Sequence, residues 1–436
     1  MGAATSRFGP CWPRRRRSPQ DEPYLTDDVL EEVFLRLPPH PDCLRRVSLV
    51  SRRFRRVVTG RRFLARFRGI HGGAPQLVGL FHNHNHGDDR FVPVGVDGSG
   101  YFRRRAGPVG RPPRGPLSPG DAQWNILGCR GGRVLLLSPD RLRLLVLEPM
   151  RGRRQYFPAP PAPVYKPSCF SNAAVVTADS GHDELSTHLF RVVFVSCNAA
   201  SKRSTVFIYN SAAFRWTKVA TAEMSSVVDG RPSVLIGQVL YWHLVSHGII
   251  SFNLETHELH EILVPADAFD DVHEASLNIV VPKGGGVGLA AVSGYILQMW
   301  TLRNFTHGAS TWDLRKIVRL DALLPLRNAR FAAPPPTPTA KHPLVWMMAL
   351  DEDKNVGYIW TMVGVFAVQL DSMKYHKVIG AVCRGMDLVY PYKTFFLPAG
   401  TFSYWINQFY MCKSMGHIGM IKCNLTLEFQ FEKLCE

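Results

Sequence analysis

The sequence predicts an α+β multidomain chain: a small three-helix module, then an all-β, propeller-like domain of about six blades. Three observations predict it. Residues 25–58 carry three short helical patterns, punctuated by prolines and a serine. From Leu77 onward the chain turns to short β-rich runs separated by Gly, Pro, Asp and Asn. Within that region a hairpin-like unit recurs, and such a unit cannot bury its faces alone.

The helical module reads LTDDVLEEVFLRLPPHPDCLRRVSLVSRRFRRVV. Thr26 is placed to cap a helix that opens on Asp27 and Asp28, where a helix N-terminus favours negative charge. Val29, Leu30, Val33, Phe34 and Leu37 follow at helical spacing and make one apolar face. Pro38 and Pro39 stop that helix. A second helical turn carries Leu44, Val47 and Val50. Ser51 caps a third, arginine-rich helix bearing Phe54, Val57 and Val58, which residues 59–70 extend before it leaves through Gly69. Helices this short bury little among themselves, so their apolar faces call for a partner surface.

These residues resemble the F-box. Leu25, Asp27-Asp28, Leu37-Pro38, Leu44, Val50-Ser51 and Phe54 follow that family's pattern in order. Thr26 stands where the family usually has proline, and Phe54 where tryptophan is frequent. Both substitutions keep the local physics, since threonine caps and phenylalanine fills the same apolar slot. The resemblance implies that residues 23–68 dock onto the Skp-type adaptor of a cullin-RING ubiquitin ligase. The contact residues it implies are Leu25, Val29, Leu30, Val33, Phe34, Leu37, Pro38, Leu44, Val47, Val50 and Phe54. Some of these must instead form the module's own core.

The bulk numbers fit a folded chain of this size. Of 436 residues, 46% are hydrophobic and 11% aromatic, too many for a disordered chain. The net charge of +17 is unevenly placed, with 29 basic and 13 acidic side chains in residues 1–160, leaving 23 and 22 for the rest. Every basic residue before Lys166 is arginine. An arginine-rich nucleic-acid-binding protein is the alternative reading of that asymmetry. Yet no zinc finger or aromatic-interleaved basic repeat accompanies it, and Arg, Ala, Gly and Pro are over-used together, as GC-rich coding produces. No nucleic-acid partner is expected. Nine scattered cysteines, without a Cys-x-x-Cys pair, argue for a reducing compartment and against a zinc site or a disulfide framework. No secretory signal is expected, because no apolar segment follows the N-terminal arginines. The expected location is cytoplasmic, nuclear or both.

Along the chain, residues 1–22 are rich in Pro, Arg and Ser and are expected to be a disordered arm. Met1-Gly2-x-x-x-Ser6 matches the N-myristoylation pattern, with Cys11 and Arg14 to Arg17 as a second signal; membrane attachment is expected only if Gly2 is lipidated. The β region repeats an apolar strand, a polar turn and a second strand at 144–160, 206–220, 249–265 and 365–380, with a less regular copy at 297–320. A second hairpin precedes some copies, as in SVLIGQVLYWHLV at 233–245. Short antiparallel strands repeated this way point to propeller blades. The order of LVGLFHN (77–83), FVPV (91–94), GCRGGRVLLL (128–137), LLVLEPMRGRR (144–154) and GQVLYWHL (237–244) resembles the β-propeller domain that follows the F-box in a large plant family, especially in grasses. The resemblance runs over 69–400, ending near VYPYKTFFLPAG at 389–400. Residues 401–436 carry no blade repeat and form an atypical tail. The proline clusters at 108–119, 158–163 and 334–338 are expected as inter-blade loops.

Sites for chemistry are scarce. His82, His84 and His86 alternate beside Asp88 and Asp89, but a solvated hairpin loop explains them better than a metal site. GGGVG at 284–288 lacks the Lys-Ser/Thr of a phosphate loop and precedes a strand, so it is a turn. No Gly-x-Ser-x-Gly elbow appears. Tyr241, Trp242, Trp300 and Trp360 belong more naturally to a β core than to a recognition face. The uncharged run of 16 residues from Asn355 to Leu370 is shorter than the ~20 that span a bilayer and reads as a buried strand pair turning near Gly364. The function the resemblance implies is a non-catalytic, cofactor-free substrate-recognition subunit of an SCF-type ligase. It binds the adaptor and cullin at one end and an unidentified target protein at the other.

Overall fold

The computed structural model describes residues 25–39, 41–71, 75–83, 90–94, 123–149, 153–161, 168–177, 189–246, 248–265, 277–306, 309–326, 345–379 and 388–394. The arm at 1–22 with Gly2, residues His84 and His86, the proline clusters at 108–119 and 334–338, and the tail at 401–436 lie outside the described residues.

Four helices come first: α1 (Asp27–Leu35), α2 (Pro41–Val50), α3 (Arg52–Thr59) and α4 (Arg61–Ile70). The two expected caps are made. Thr26 Oγ1 accepts from the Val29 amide at 3.4 Å, and Ser51 Oγ from the Phe54 amide at 3.0 Å. The third helix does not run on to Gly69 as expected. Gly60 adopts extended backbone, φ −62° and ψ 135°, ends α3 and opens α4. Packing gives the reason. At about 3.6 residues per turn, Val58 and Phe67 would lie on opposite sides of one continuous helix. The break lets Val58, Phe63, Leu64 and Phe67 enter one core with Leu30, Phe34, Leu35, Leu44 and Val47. Ion pairs lace the module, Arg53 to Asp27 at 2.7 Å, and Arg66 to Glu31 at 2.6 Å and to Glu32 at 2.5 Å.

The β region is six antiparallel sheets, a six-blade propeller. The first blade contains β1 (Gln76–His82) and β2 (Phe91–Pro93), with the C-terminal β23 (Val389–Thr394) as its inner strand. The second holds β3 (Asn125–Arg130), β4 (Arg133–Leu137), β5 (Arg143–Glu148) and β6 (Arg153–Pro158). The third holds β7 (Cys169–Thr177), β8 (Phe190–Asn198), β9 (Arg203–Asn210) and β10 (Arg215–Glu223). The fourth holds β11 (Val234–Ile236), β12 (Val239–His243), β13 (Gly248–Asn253) and β14 (Leu259–Leu263). The fifth holds β15 (Leu277–Val280), β16 (Gly288–Ser293), β17 (Ile296–Thr306) and β18 (Ala309–Arg319), followed by the short α5 (Leu320–Leu323). The sixth holds β19 (Val345–Asp351), β20 (Val356–Thr361), β21 (Gly364–Gln369) and β22 (Tyr375–Ile379).

Every copy of the repeated unit is the outer hairpin of a blade: β5–β6, β9–β10, β13–β14, β17–β18 and β21–β22. SVLIGQVLYWHLV is an inner hairpin, β11–β12. The run from Asn355 to Leu370 is the β20–β21 pair, turning just before Gly364. Gly284 to Gly286 form a turn between β15 and β16, with Gly285 and Gly286 at φ +80° and +78°, and Gly288 opens β16.

One apolar cluster fills each junction between blades. Blades one and two share Phe81, Ile126 and Tyr390; two and three share Leu135, Phe157 and Val192; three and four share Val193, Trp242 and Phe252. Four and five share Ile249, Leu289 and Trp300; five and six share Leu297, Ile359 and Phe366; six and one share Leu80, Trp346 and Trp360. Strands between two such clusters bury both faces, so β4 reads RVLLL with no polar alternation. Tyr241, Trp242, Trp300 and Trp360 all lie inside these clusters, and His82 is buried in β1. The ring closes where β23 pairs antiparallel with β1, Tyr390 opposite Phe81. Among the described residues no helix is long and apolar enough to cross a membrane.

Candidate partner-binding surfaces

The apolar set of the helical module divides by depth. Leu30, Phe34, Leu44 and Val47 are buried among one another, with Phe34 meeting Phe54 edge-on at 5.1 Å between ring centres. Val33, Leu37 and Phe54 are half-buried against that core. Leu25, Val29 and Val50 are 38%, 44% and 51% exposed, and Pro38 is exposed as well. Arg53 holds the exposed end of α1 to α3. Its Nε donates to Asp27 Oδ1 at 2.7 Å, and its Nη2 donates to the Leu25 carbonyl at 2.5 Å. The module therefore presents aliphatic side chains on a fixed frame.

In the propeller, the inner strands β3, β7, β11, β15, β19 and β23 and their approaches surround a central cavity of ≈ 60 Å³. Charges face one another across it. Arg130, at the end of β3, meets Glu352 after β19, Nε to Oε1 at 2.6 Å and Nη2 to Oε2 at 2.9 Å. Glu352 Oε2 also accepts the Leu235 amide at 2.6 Å, and Arg130 Nη2 donates to the Ser233 carbonyl at 3.1 Å. One ion pair thus fastens blades two, four and six. Burial works against the Arg130 charge, but Glu352 outweighs it and holds the guanidinium above its ordinary pKa. The turn that aims Arg130 is Gly131-Gly132, at φ +57° and +72°, a geometry that only glycine adopts freely in a two-residue hairpin.

Asparagines do similar work between neighbours. Asn172 Nδ2 donates to the carbonyls of Asp229 and Arg231 at 2.9 and 2.7 Å, and Asn278 Nδ2 donates to that of Met347 at 2.9 Å. On β23, Lys393 pairs with Asp351 and Asp353 of blade six, while Tyr392 donates to the Gly132 carbonyl of blade two at 3.2 Å. His243 is buried beside Arg231; burial first, then that positive charge, push its pKa well below the ordinary value. These groups satisfy one another and brace the ring. Among the described residues no group of three or more His, Cys, Asp or Glu is arranged to hold a metal.

Two family models match the chain, one over the helical module and one over the propeller. The propeller model of the F-box protein AT5G49610-like family matches residues 125–399, and the F-box domain model matches residues 24–66. The chain belongs to the AT5G49610-like F-box protein family. This is a plant-type family in which the F-box precedes the propeller. F-box domains generally bind Skp1-type adaptors in SCF complexes. No curated protein matches the chain.

Three solved structures are distant likenesses of the chain. The WD40 domain of SCAP from fission yeast is 12% identical over 56% of this chain and 48% of its own, with a TM-score of 0.29. BBS1N in complex with ARL6DN is 12% identical over 56% and 63%, at 0.31. TolB from Acinetobacter baumannii is 10% identical over 56% and 51%, at 0.30. The chain spans roughly half to two-thirds of the length of these structures, and nothing about function follows from them.

Neither the Arg130–Glu352 pair nor the asparagine bridges were read from the sequence. Their partners are distant in the chain, 222 residues apart for Arg130 and Glu352, so no local spacing shows them. The only signal was a doubled glycine directly after an arginine at a strand end.

Proposed function

We propose that this chain is the substrate-recognition subunit of an SCF-type E3 ubiquitin ligase, of the grass-type branch that its motif order resembles. The F-box carries it onto the Skp-type adaptor and thence the cullin. The propeller presents loops and blade edges to a target protein. The observation that supports this best is the exposed aliphatic set Leu25, Val29 and Val50, displayed on a module whose interior is already filled by Leu30, Phe34, Leu44 and Val47. Exposed aliphatics on so small a frame gain most by being covered.

No bond is made or broken by the chain in this reading. It raises the effective concentration of a target near a charged ubiquitin-conjugating enzyme. The paired charges in the channel support this, because each cation there is engaged by a carboxylate or carbonyl rather than aimed at an open site. The reading places the protein in the cytoplasm, the nucleus or both, and at a membrane only if Gly2 is lipidated. The test is co-purification of the full chain with a Skp-type adaptor and a cullin. A stoichiometric complex is expected, and failure of the wild-type chain to bind the adaptor would overturn the proposal.

A further inference from the structure

His243 is the exception among the groups that brace the ring. It closes β12, is 3% exposed and lines the central cavity. Its ring makes no hydrogen bond among the described residues, whereas Arg231 beside it donates to the Leu277 carbonyl and pairs with Asp229. A buried polar group without a partner is costly, so the cavity suits a guest that supplies one. There is room for it. Ser233, Asn278 and Pro391 on the wall are half-exposed, which opens the cavity to solvent. About 10–15 Å³ holds one water, so a cavity of ≈ 60 Å³ takes an acetate-sized group.

The wall decides the sign of the guest's charge. It carries Arg130, Arg231 and Lys393 against Glu352 alone; Arg231 and Lys393 take their carboxylate partners, Asp229, Asp351 and Asp353, from behind it. The strands around the ring, β11, β12, β13 and β15, hold no Asp, Glu, Lys or Arg, so the charge that acts on the ring is Arg231. Burial and that cation keep the imidazole neutral, with one N–H to donate. A neutral donor in a positive field fits the acceptor oxygen of an anion. One such donor and a small cavity fit a singly charged group better than a phosphate, whose higher charge calls for several donors. We propose that the central cavity binds a carboxylate group, which accepts a hydrogen bond from the His243 ring beside Arg231. The three cations stay in their pairs and contribute field, while His243 contributes the bond. Two carriers present this chemistry, a small organic acid and an acidic side chain of a bound protein. The proposal is independent of the adaptor reading. A carboxylate at the ring favours its protonated form, opposite to Arg231, so the signature is a His243 pKa that rises when the site fills.

The experiment follows the histidine rings of the full-length chain by NMR, with His243→Gln identifying the His243 signal. Sodium acetate is titrated at constant ionic strength against chloride, with acetamide as the uncharged counterpart and inorganic phosphate as the alternative anion. Acetate should shift the His243 signal, raise that ring's pKa and raise the melting temperature, and acetamide should do none of these. His243→Phe removes the donor and should bind acetate at least about tenfold more weakly, with other histidine signals unchanged. Should His243→Phe fail to fold, the wild-type signal decides alone. The peptide acetyl-Gly-Glu-Gly-amide separates the carriers. A response to acetate and to the peptide assigns the site to an acidic side chain, and a response to acetate alone assigns it to a small organic acid. A His243 signal that neither acetate nor the peptide moves would overturn the proposal and leave water as the ring's partner. An equal response to acetamide, or a stronger one to phosphate, would overturn the carboxylate assignment.

Discussion

Replacing Glu352 with alanine should be among the most damaging single changes in the propeller. Glu352 engages Arg130 through both oxygens, at 2.6 and 2.9 Å, and accepts the Leu235 amide at 2.6 Å. Both side chains of the ion pair are only 16% exposed. Alanine leaves a guanidinium without its counter-charge and an inner-strand amide without its acceptor. Breaking a buried pair costs about 3–5 kcal/mol, and an unsatisfied buried amide about 1–3 kcal/mol. The Ser233 and Val175 carbonyls still hold Arg130, and the pair keeps some exposure, so the expected total is at the low end, about 3 kcal/mol. Urea unfolding of the full chain, followed through the propeller's β signal, measures it. Replacing both partners by methionine should cost less than the single change, since no lone charge remains. A loss below about 1 kcal/mol for Glu352→Ala, or a double variant as unstable as the single one, would refute the argument that this pair fastens three blades.

His243 sets a pH dependence. Its pKa is pushed well below the ordinary value, so the unfolded chain takes up the proton first as pH falls. Stability from the neutral ring is complete above the unfolded-state pKa of about 6.5 and is lost as pH drops below it. A pH series of melts should show this slope in wild type and not in His243→Gln; equal slopes would exclude His243 as its origin. Ending the chain at residue 388 removes β23, with its pairing to β1 and the contacts of Tyr392 and Lys393, and should abolish cooperative unfolding of the ring. Ending it at residue 394 keeps β23 and should retain cooperativity; a cooperative melt in both would show that the ring does not depend on closure.

Much of this architecture was legible in the sequence, for reasons visible in particular residues. Thr26, Pro38 and Ser51 mark helix ends through local hydrogen bonds and backbone limits, which neighbouring residues reveal. The outer hairpins were legible because they carry polar turns between apolar strands, as in FNLETHELHEI, where Asn253 caps its turn by accepting the amides of Glu255 and Thr256. The inner strand β7 was not read. Its sequence CFSNAAVVT carries Asn and two Ala, residues of low β propensity, at its centre, and what holds it is non-local, including Asn172 bonded to the next blade. The break at Gly60 was missed because a lone glycine in an arginine-rich stretch does not reveal that Phe67 must turn back to meet Leu30. In the candidate docking face, the apolar positions were legible, but their depth was not. Periodicity puts Leu30 and Val29 side by side, and only the packing of α3 and α4 shows that one is 1% and the other 44% exposed.

That difference in depth is also where the account is most directly tested. The decisive measurement is the affinity of a purified Skp-type adaptor for three full-length chains: wild type, Val29→Asp with Val50→Asp, and Ile70→Asp. Ile70 is 59% exposed on α4, so its change places the same charge on an equally exposed aliphatic outside the proposed face. All three should melt alike, because none of these side chains is in the core. Wild type and Ile70→Asp should bind alike, and the Val29 and Val50 double variant should lose at least about tenfold, or 1.4 kcal/mol. Equal affinities for all three folded chains, or no adaptor binding by any of them, would contradict the claim that this F-box works through its exposed aliphatic face.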